Sequence, residues 1–148
     1  MNSPGVRRRL LSPMWWALSL VCLALCAACQ SGGGNLNVAR AASLSKAALL
    51  EILEGDGTSY VSRRIIAEPS AIQALAGTID SALPLGPRAR CVGQYLLRFQ
   101  GADGQVQEFE YYCQSGTSFL RGGQAYWRGL QVVPPAGFDA AVRVLLAP

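Results

Sequence analysis

Residues 91–113 read CVGQYLLRFQGADGQVQEFEYYC, and this stretch predicts a β-hairpin. Aromatic and branched residues dominate both halves, as is typical of strands. The triplet Ala102-Asp103-Gly104 between them fits a three-residue turn in which the glycine takes a left-handed conformation. Such a turn pairs Gly101 with Gln105 and so fixes the register of the whole hairpin.

This register gives the hairpin one apolar face. It places Arg98 opposite Glu108, an opposite-charge pair that supports the alignment. Because side chains alternate between the faces of a strand, several apolar residues share a face that we predict to lie in the core: Tyr95, Leu97, Phe99, Phe109, Tyr111, Cys91 and Cys113. Cys91 falls one pair beyond direct opposition to Cys113, so we expect a diagonal bridge or an irregular approach of Cys91 to its strand.

Two further strands are predicted on the amino-terminal side of this hairpin. Residues 49–54 and 60–66 flank Gly55-Asp56-Gly57, which is a typical turn sequence. The first of them is alternatively the end of a helix that begins at Ser45, since alanine and leucine are good helix formers. The glycine-rich turn favours the hairpin.

Two amphipathic helices are also predicted. Pro69 suits the first turn of a helix, where a missing N–H costs nothing, and the prolines at 84 and 87 end it. Apolar residues follow Pro69 at helical spacing: Ile72, Leu75, Ala76, Ile79 and Leu83. A second stripe of this kind follows Pro134-Pro135: Phe138, Val142, Leu145 and Leu146.

These elements predict a single α+β domain over residues 48–148. Residues 118–121 and 125–129 add a short hairpin around Gly122-Gly123. Helices with one apolar stripe and a sheet with one apolar face bury these surfaces best against each other. We therefore expect two layers, an antiparallel sheet of about four to six strands packed with two helices.

The amino-terminus has the three-part pattern of a secretory signal. Arg7, Arg8 and Arg9 form a basic region, residues 15–25 are apolar, and small residues precede Cys29. A transmembrane helix is the rival interpretation, but the low-charge run over residues 14–28 is shorter than the ~20 residues that cross a bilayer. The pattern therefore predicts export.

The segment Leu25-Cys26-Ala27-Ala28-Cys29 resembles the lipobox of bacterial lipoproteins. The resemblance implies that Cys29 receives a diacylglycerol thioether and acyl groups and becomes the first residue of the mature chain. Cys26 departs from the family's pattern, in which leucine is usual there. The remainder of the chain resembles small bacterial lipoproteins only in general, and that likeness implies no activity.

The resemblance divides the chain into three parts. We predict a signal peptide over residues 1–28, a lipidated Cys29 with a flexible tether over residues 29–47, and the domain. The chain would then be extracytoplasmic and anchored to the membrane, at the cell surface or on its periplasmic face. The alternative is a plain secretory signal in which the cysteines are incidental.

The cysteine count fits this scheme. Of the 5 cysteines, cleavage removes two and lipidation consumes one. Cys91 and Cys113 remain, and in an oxidising compartment they are predicted to form a disulfide. In the chain-entropy model such a loop stabilises the fold by roughly 3 kcal/mol. Two cysteines without histidine make a poor zinc site, so no metal or cofactor is predicted.

Composition excludes several function classes. The chain has no histidine, which removes Ser-His-Asp and Cys-His catalysis and imidazole ligands. Without the three arginines of the signal segment, the 13 basic residues fall to 10, against 9 acidic residues. A nucleic-acid partner is rejected on this balance. The remaining arginines are interpreted as scattered solvated charges, with contact to anionic lipid headgroups as the alternative: Arg63, Arg64, Arg88 and Arg90.

Two candidate sites stand out against this background. Glu108 and Glu110 lie two apart on one strand face, a spacing open to carboxylate catalysis, to binding of a hard cation, or simply to a solvated surface. The run Tyr126-Trp127-Arg128 holds the residue types of binding hot spots, and its alternative is an aromatic that caps the core. No catalytic residue is assigned.

The sequence thus predicts a membrane-anchored binding or accessory module rather than an enzyme. Its partner would be a protein, a peptide or a small ligand outside the membrane. Two alternatives remain: a small envelope enzyme that uses Glu108 and Glu110, and a structural protein of the envelope. An exposed surface around Trp127 would favour binding, and a pocket around the two carboxylates would favour catalysis.

Overall fold

One antiparallel sheet organises residues 34–148, the part of the chain that the computed structural model describes. Its strands are β1 (Asn35–Leu36), β2 (Ala47–Gly55), β3 (Tyr60–Ile66), β4 (Leu83–Gly86), β5 (Gly93–Gly101), β6 (Val106–Cys113), β7 (Leu120–Gly122) and β8 (Gln131–Val132). They lie in the order β1-β4-β8-β7-β6-β5-β2-β3. The helices are α1 (Val38–Ala41), α2 (Pro69–Gly77) and α3 (Ala136–Leu146).

The predicted α+β class, the antiparallel sheet and the disulfide are confirmed. The strand number is wrong, because the described part contains 8 strands rather than four to six, and a third helix joins the two that were expected. The missed strands β1, β4 and β8 have only two to four residues. Segments this short cannot show a two-residue alternation, so no sequence pattern marks them.

The β5–β6 hairpin has the predicted register. The N–H of Gly101 donates to the carbonyl of Gln105 over 2.8 Å, and Gly104 has a φ of 80° in the turn. Tyr95 lies opposite Tyr111, and Arg98 lies opposite Glu108. The apolar face of this hairpin joins one core cluster to which all three helices contribute.

The β2–β3 hairpin is also confirmed, and the alternative of a helix from Ser45 is wrong. Asp56 organises the turn: its carboxylate accepts hydrogen bonds from the backbone N–H groups of Ser59 and Thr58, each over 2.8 Å. These bonds hold the pKa of the Asp56 carboxyl below its ordinary value, with the bond from Ser59 as the main cause. The Asp56 carboxyl therefore stays ionised at neutral pH, and its hydrogen bonds hold the shape of the turn.

The helix that begins at Pro69 ends earlier than predicted. It stops at Gly77, where the Thr78 hydroxyl donates to the carbonyl of Leu75 over 2.7 Å and competes with further helical bonding. Leu83 is nonetheless buried, as strand β4. The helical spacing correctly predicted that Leu83 is buried, but Leu83 lies in a strand and not in a helix.

The second strand predicted at residues 125–129 is wrong. Residues Ala125–Trp127 form a 3₁₀ turn, and β7 pairs instead with β8. Gly122 shows why the chain takes this path. A Cβ there would lie 2.4 Å from the indole nitrogen of Trp127, so only glycine lets the tryptophan pack over this strand.

The tether predicted for residues 29–47 is wrong from residue 35 onward. Residues 35–46 form β1, α1 and a 3₁₀ turn, Leu44–Lys46, and both Val38 and Leu44 are completely or almost completely buried. The Asn37 side chain caps α1 by accepting from the N–H of Arg40 over 2.9 Å. Residues 30–47 are rich in Gly, Ser, Asn and Ala, a composition that is typical of a tether and gives no sign of these elements. The predicted signal peptide and Cys29 lie outside the described residues.

Helix α3 follows the prolines as predicted and buries Phe138 and Val142. Its first turn is linked to the sheet by Asp139, whose carboxylate accepts from the hydroxyls of Tyr111 over 2.7 Å and Ser118 over 2.6 Å. None of the helices between residues 34 and 148 combines the length and apolar character needed to cross a membrane.

The Tyr111–Asp139 contact predicts a loss of stability in alkali. Burial, together with the hydrogen bond to Asp139, raises the pKa of Tyr111 above its ordinary value of 10. The folded state therefore holds this proton more tightly, so the stabilisation is complete below pH ~10 and is lost as the pH rises further. Urea unfolding at about pH 9 and about pH 11 should show a smaller loss for Tyr111→Phe than for wild type. Equal losses would contradict this account.

Candidate functional site

The two predicted carboxylates lie on the sheet face opposite the helices, each bound by a different arginine. Glu108 accepts from Nε of Arg98 over 2.7 Å, while Glu110 accepts from Arg121 over 2.5 Å and from the N–H of Gly93 over 3.2 Å. Burial raises the pKa of Glu110, but these bonds offset it, and the net shift is downward. A general acid would instead need a carboxyl pKa that is raised toward neutral pH. Both carboxylates are therefore engaged in ion pairs, Glu108 with Arg98 and Glu110 with Arg121 and, at 3.8 Å, Arg88.

Arg121 is a buried residue that the sequence analysis did not single out. Only 5% of it is exposed. Its guanidinium donates to the carbonyl oxygens of Ala89 over 3.0 Å and Cys91 over 2.5 Å as well as to Glu110. Its carbon Cζ also lies 4.7 Å from the centre of the Phe119 ring. Arg121 thus attaches the segment before β5 to the sheet.

The disulfide holds the same segment. Cys91 and Cys113 are bridged with their Cα atoms 6.0 Å apart. Gly93 pairs with Cys113, as the predicted register requires, and β5 begins only at Gly93. Cys91 therefore lies in the irregular segment before the strand, which is the second of the two alternatives. We call the hydrogen bonds from Arg121 to Ala89, Cys91 and Glu110 the Arg121 clamp. The disulfide and this clamp together fix one end of the sheet.

A groove of about 430 Å³ lies at this end. We call this region the disulfide end. Three loops line the groove: residues 55–57, residues 90–93, and Gln114 with Ser115. Loops that a rigid scaffold positions are common places for binding residues.

Tyr112 adds strained backbone beside the disulfide. Its φ is 62°, a left-handed conformation that is unfavourable for a bulky aromatic residue. The Tyr112 ring lies 5.6 Å from that of Tyr111, which in turn lies 6.2 Å from that of Tyr95. Strain of this kind concentrates at functional sites.

The run Tyr126-Trp127-Arg128 does not form one exposed surface. Trp127 is 1% exposed, its ring lies 6.0 Å from that of Phe109, and its indole N–H donates to Gln124 over 3.1 Å. Tyr126 is half-buried, whereas Arg128 is exposed. Trp127 therefore belongs to the core, which confirms the alternative in which this aromatic residue caps it.

A second cleft lies on the helix side of the sheet. It has a volume of about 250 Å³ and is lined by Glu54, Arg63, Arg64, Tyr95 and residues 146–148. The sequence predicts scattered, solvated charges at both arginines. The structure brings them together with an aromatic ring and a carboxylate, so this cleft is a binding candidate that the sequence analysis missed.

Within residues 34–148, no three histidine, cysteine or acidic side chains lie close enough to hold a metal ion. Comparisons with protein-family models, with curated proteins and with solved structures found no match.

Proposed function

We propose that this chain is a membrane-anchored extracytoplasmic lipoprotein whose domain acts as a binding module. The Cys91–Cys113 disulfide carries the proposal. Stable disulfides occur in oxidising compartments and are rare in the cytosol. The bridge therefore supports export, and export is what the lipobox-like segment at Cys29 requires.

The early start of the folded chain limits how far the domain lies from its anchor. Strand β1 begins at Asn35. From Cys29 to Asn35, a fully extended chain spans only about 20 Å. A lipid on Cys29 would hold the domain close to the bilayer surface, where it could meet ligands near the membrane.

Binding is favoured over carboxylate catalysis by the charges around Glu108 and Glu110. Each carboxylate is engaged by an arginine, and neither lines the groove at the disulfide end or the cleft beside Arg64. Those two concave surfaces instead offer arginine, tyrosine and backbone groups, which suit recognition.

Acylation of the full chain in a bacterial host tests the anchor. Cys29→Ser is expected to abolish incorporation of labelled palmitate, because the acceptor sulfur is lost. Cys26→Ser is the matched control and is expected to keep the label. In the wild type, thiol reagents should modify Cys91 and Cys113 only after reduction.

Two results would reject the lipoprotein assignment. One is palmitate that remains on the Cys29→Ser chain, and the other is an unlabelled wild type. Free thiols at Cys91 and Cys113 in freshly isolated protein would remove the support for export.

A further inference from the structure

A β-bulge in the edge strand β3 turns two consecutive arginines toward one cleft. In a regular strand, Arg63 and Arg64 would point to opposite faces. The register between β2 and β3 shifts here: Ile52 pairs with Arg64, and Leu53 pairs with Ser62. Arg63 is the extra residue, and both arginines line the same cavity.

The charges of this cleft leave one arginine without a partner among the described residues. Nε of Arg63 lies 2.7 Å from the Glu54 carboxylate, which orients its guanidinium. Arg64 forms no ion pair within residues 34–148. Glu54 is the one acidic side chain in the lining and already pairs with Arg63, so the Arg64 guanidinium has no side-chain counter-ion there.

Tyr95 supplies a further donor. Its hydroxyl accepts from the Gln94 amide over 3.3 Å. Burial, aided by the charge of Glu54, raises the pKa of Tyr95. The phenol therefore keeps its proton at neutral pH and can donate it to an acceptor in the cleft.

The volume indicates how much of a ligand enters. Sites that enclose whole drug-sized ligands have about 300–1,000 Å³, and this cleft has about 250 Å³. It suits one terminal group of a larger molecule. A guanidinium presents a planar fork of N–H donors that matches the oxygens of phosphate and carboxylate.

We propose that the cleft of Arg63, Arg64 and Tyr95 binds an oxyanion, a phosphate or carboxylate group carried by a ligand outside the chain. Arg64 contacts the anion directly, Arg63 is held in place by Glu54, and the Tyr95 hydroxyl donates beside them. This inference rests on the proposed binding role and names the ligand class for it.

A titration with inorganic phosphate tests the proposal. The isolated chain, ¹⁵N-labelled and held in an uncharged detergent, is followed by amide NMR at constant ionic strength. Chloride replaces phosphate in the control, because exposed charges respond to salt alone. We expect saturable shifts at residues 63, 64 and 95 with phosphate and none with chloride.

Matched variants locate the site. Arg64→Gln is expected to weaken phosphate binding about fivefold to tenfold, through loss of a charge-assisted contact. Arg40→Gln removes an exposed arginine of α1 that lines neither this cleft nor the groove at the disulfide end and should bind as wild type does. If Arg64→Gln loses its dispersed spectrum, Arg64→Lys serves instead, since it keeps the charge but loses the planar fork.

The phosphate titration tests the anion site separately from the proposed lipoprotein function. Non-saturating shifts, equal shifts in chloride, or unchanged binding by Arg64→Gln would overturn the anion site. The titration does not depend on the lipid, so its failure would leave the palmitate result standing. The same chain in nanodiscs identifies the source: shifts on adding anionic lipid assign the oxyanion to a headgroup, and shifts with phosphate alone assign it to a soluble ligand.

Discussion

Replacing Arg121 by methionine is expected to lower the free energy of unfolding by about 3–5 kcal/mol. Methionine fills a similar volume but removes the donors to Ala89, Cys91 and Glu110. The Glu110 carboxylate would then lose its main partner in a partly buried place. Folded domains of this size have only about 5–15 kcal/mol in total, so the change should be large in a urea unfolding curve with the disulfide intact.

Arg98→Met is the matched control for this substitution. Arg98 lies on the same face of the sheet and bridges two carboxylates, Glu51 at 2.8 Å and Glu108 at 2.7 Å. Its side chain is 36% exposed, against 6% for Arg121. Solvent screens exposed ion pairs, so we expect a loss of at most about 1 kcal/mol. Equal losses for the two variants would show that burial does not set the strength of the Arg121 clamp.

The Arg121 clamp bears on the proposed binding role through the segment that it holds. Residues 90–93 form one wall of the groove at the disulfide end. Two independent restraints fix that wall, a covalent bond at Cys91 and hydrogen bonds from Arg121. A preformed wall reduces the entropy that is lost when a ligand binds. This is a further reason to regard the disulfide end as a binding surface.

Long regular elements were predictable because several local features agree. The β5–β6 register followed from one turn and was supported by the Arg98–Glu108 pair, which the structure contains. The stripe of α3 was equally clear. Short elements lack such redundancy: β8 has two residues, and its pairing with β7 depends on tertiary contacts that no local pattern encodes.

The site residues were less predictable, for a related reason. A strand pattern assigns Arg63 and Arg64 to opposite faces, and only the bulge against Ile52 brings them together. Arg121 has a charge that usually indicates solvent exposure, yet the segment before β5 covers it. The cover over Arg121 comes from residues about 30 positions earlier in the chain, and the bulge is a register shift that strand alternation does not encode. The sequence alone therefore predicted the strands and helices better than it predicted the surfaces that they form.

Trp127→Ala is expected to cost about 3–5 kcal/mol of stability, the range for removing a buried large aromatic. The ring packs against Phe109 and Tyr126, with centroids 6.0 Å and 5.7 Å away. Removal would also leave the Gln124 amide without its indole donor. Chemical unfolding measures the loss, and Trp127→Phe should fall between alanine and wild type because it keeps part of the packing.

Arg128→Ala separates the core role of Trp127 from a contact role. Arg128 is the next residue in the chain but is exposed, so its removal should change stability by no more than about 0.5 kcal/mol. If Trp127 lies in the core, Trp127→Ala should cost much more stability than Arg128→Ala. If Trp127→Ala instead unfolded like the wild type, the ring would have to lie outside the core, and the hot-spot interpretation of Tyr126-Trp127-Arg128 would return. The unfolding curves of these two variants therefore decide whether Trp127 supports the core or lies on the surface.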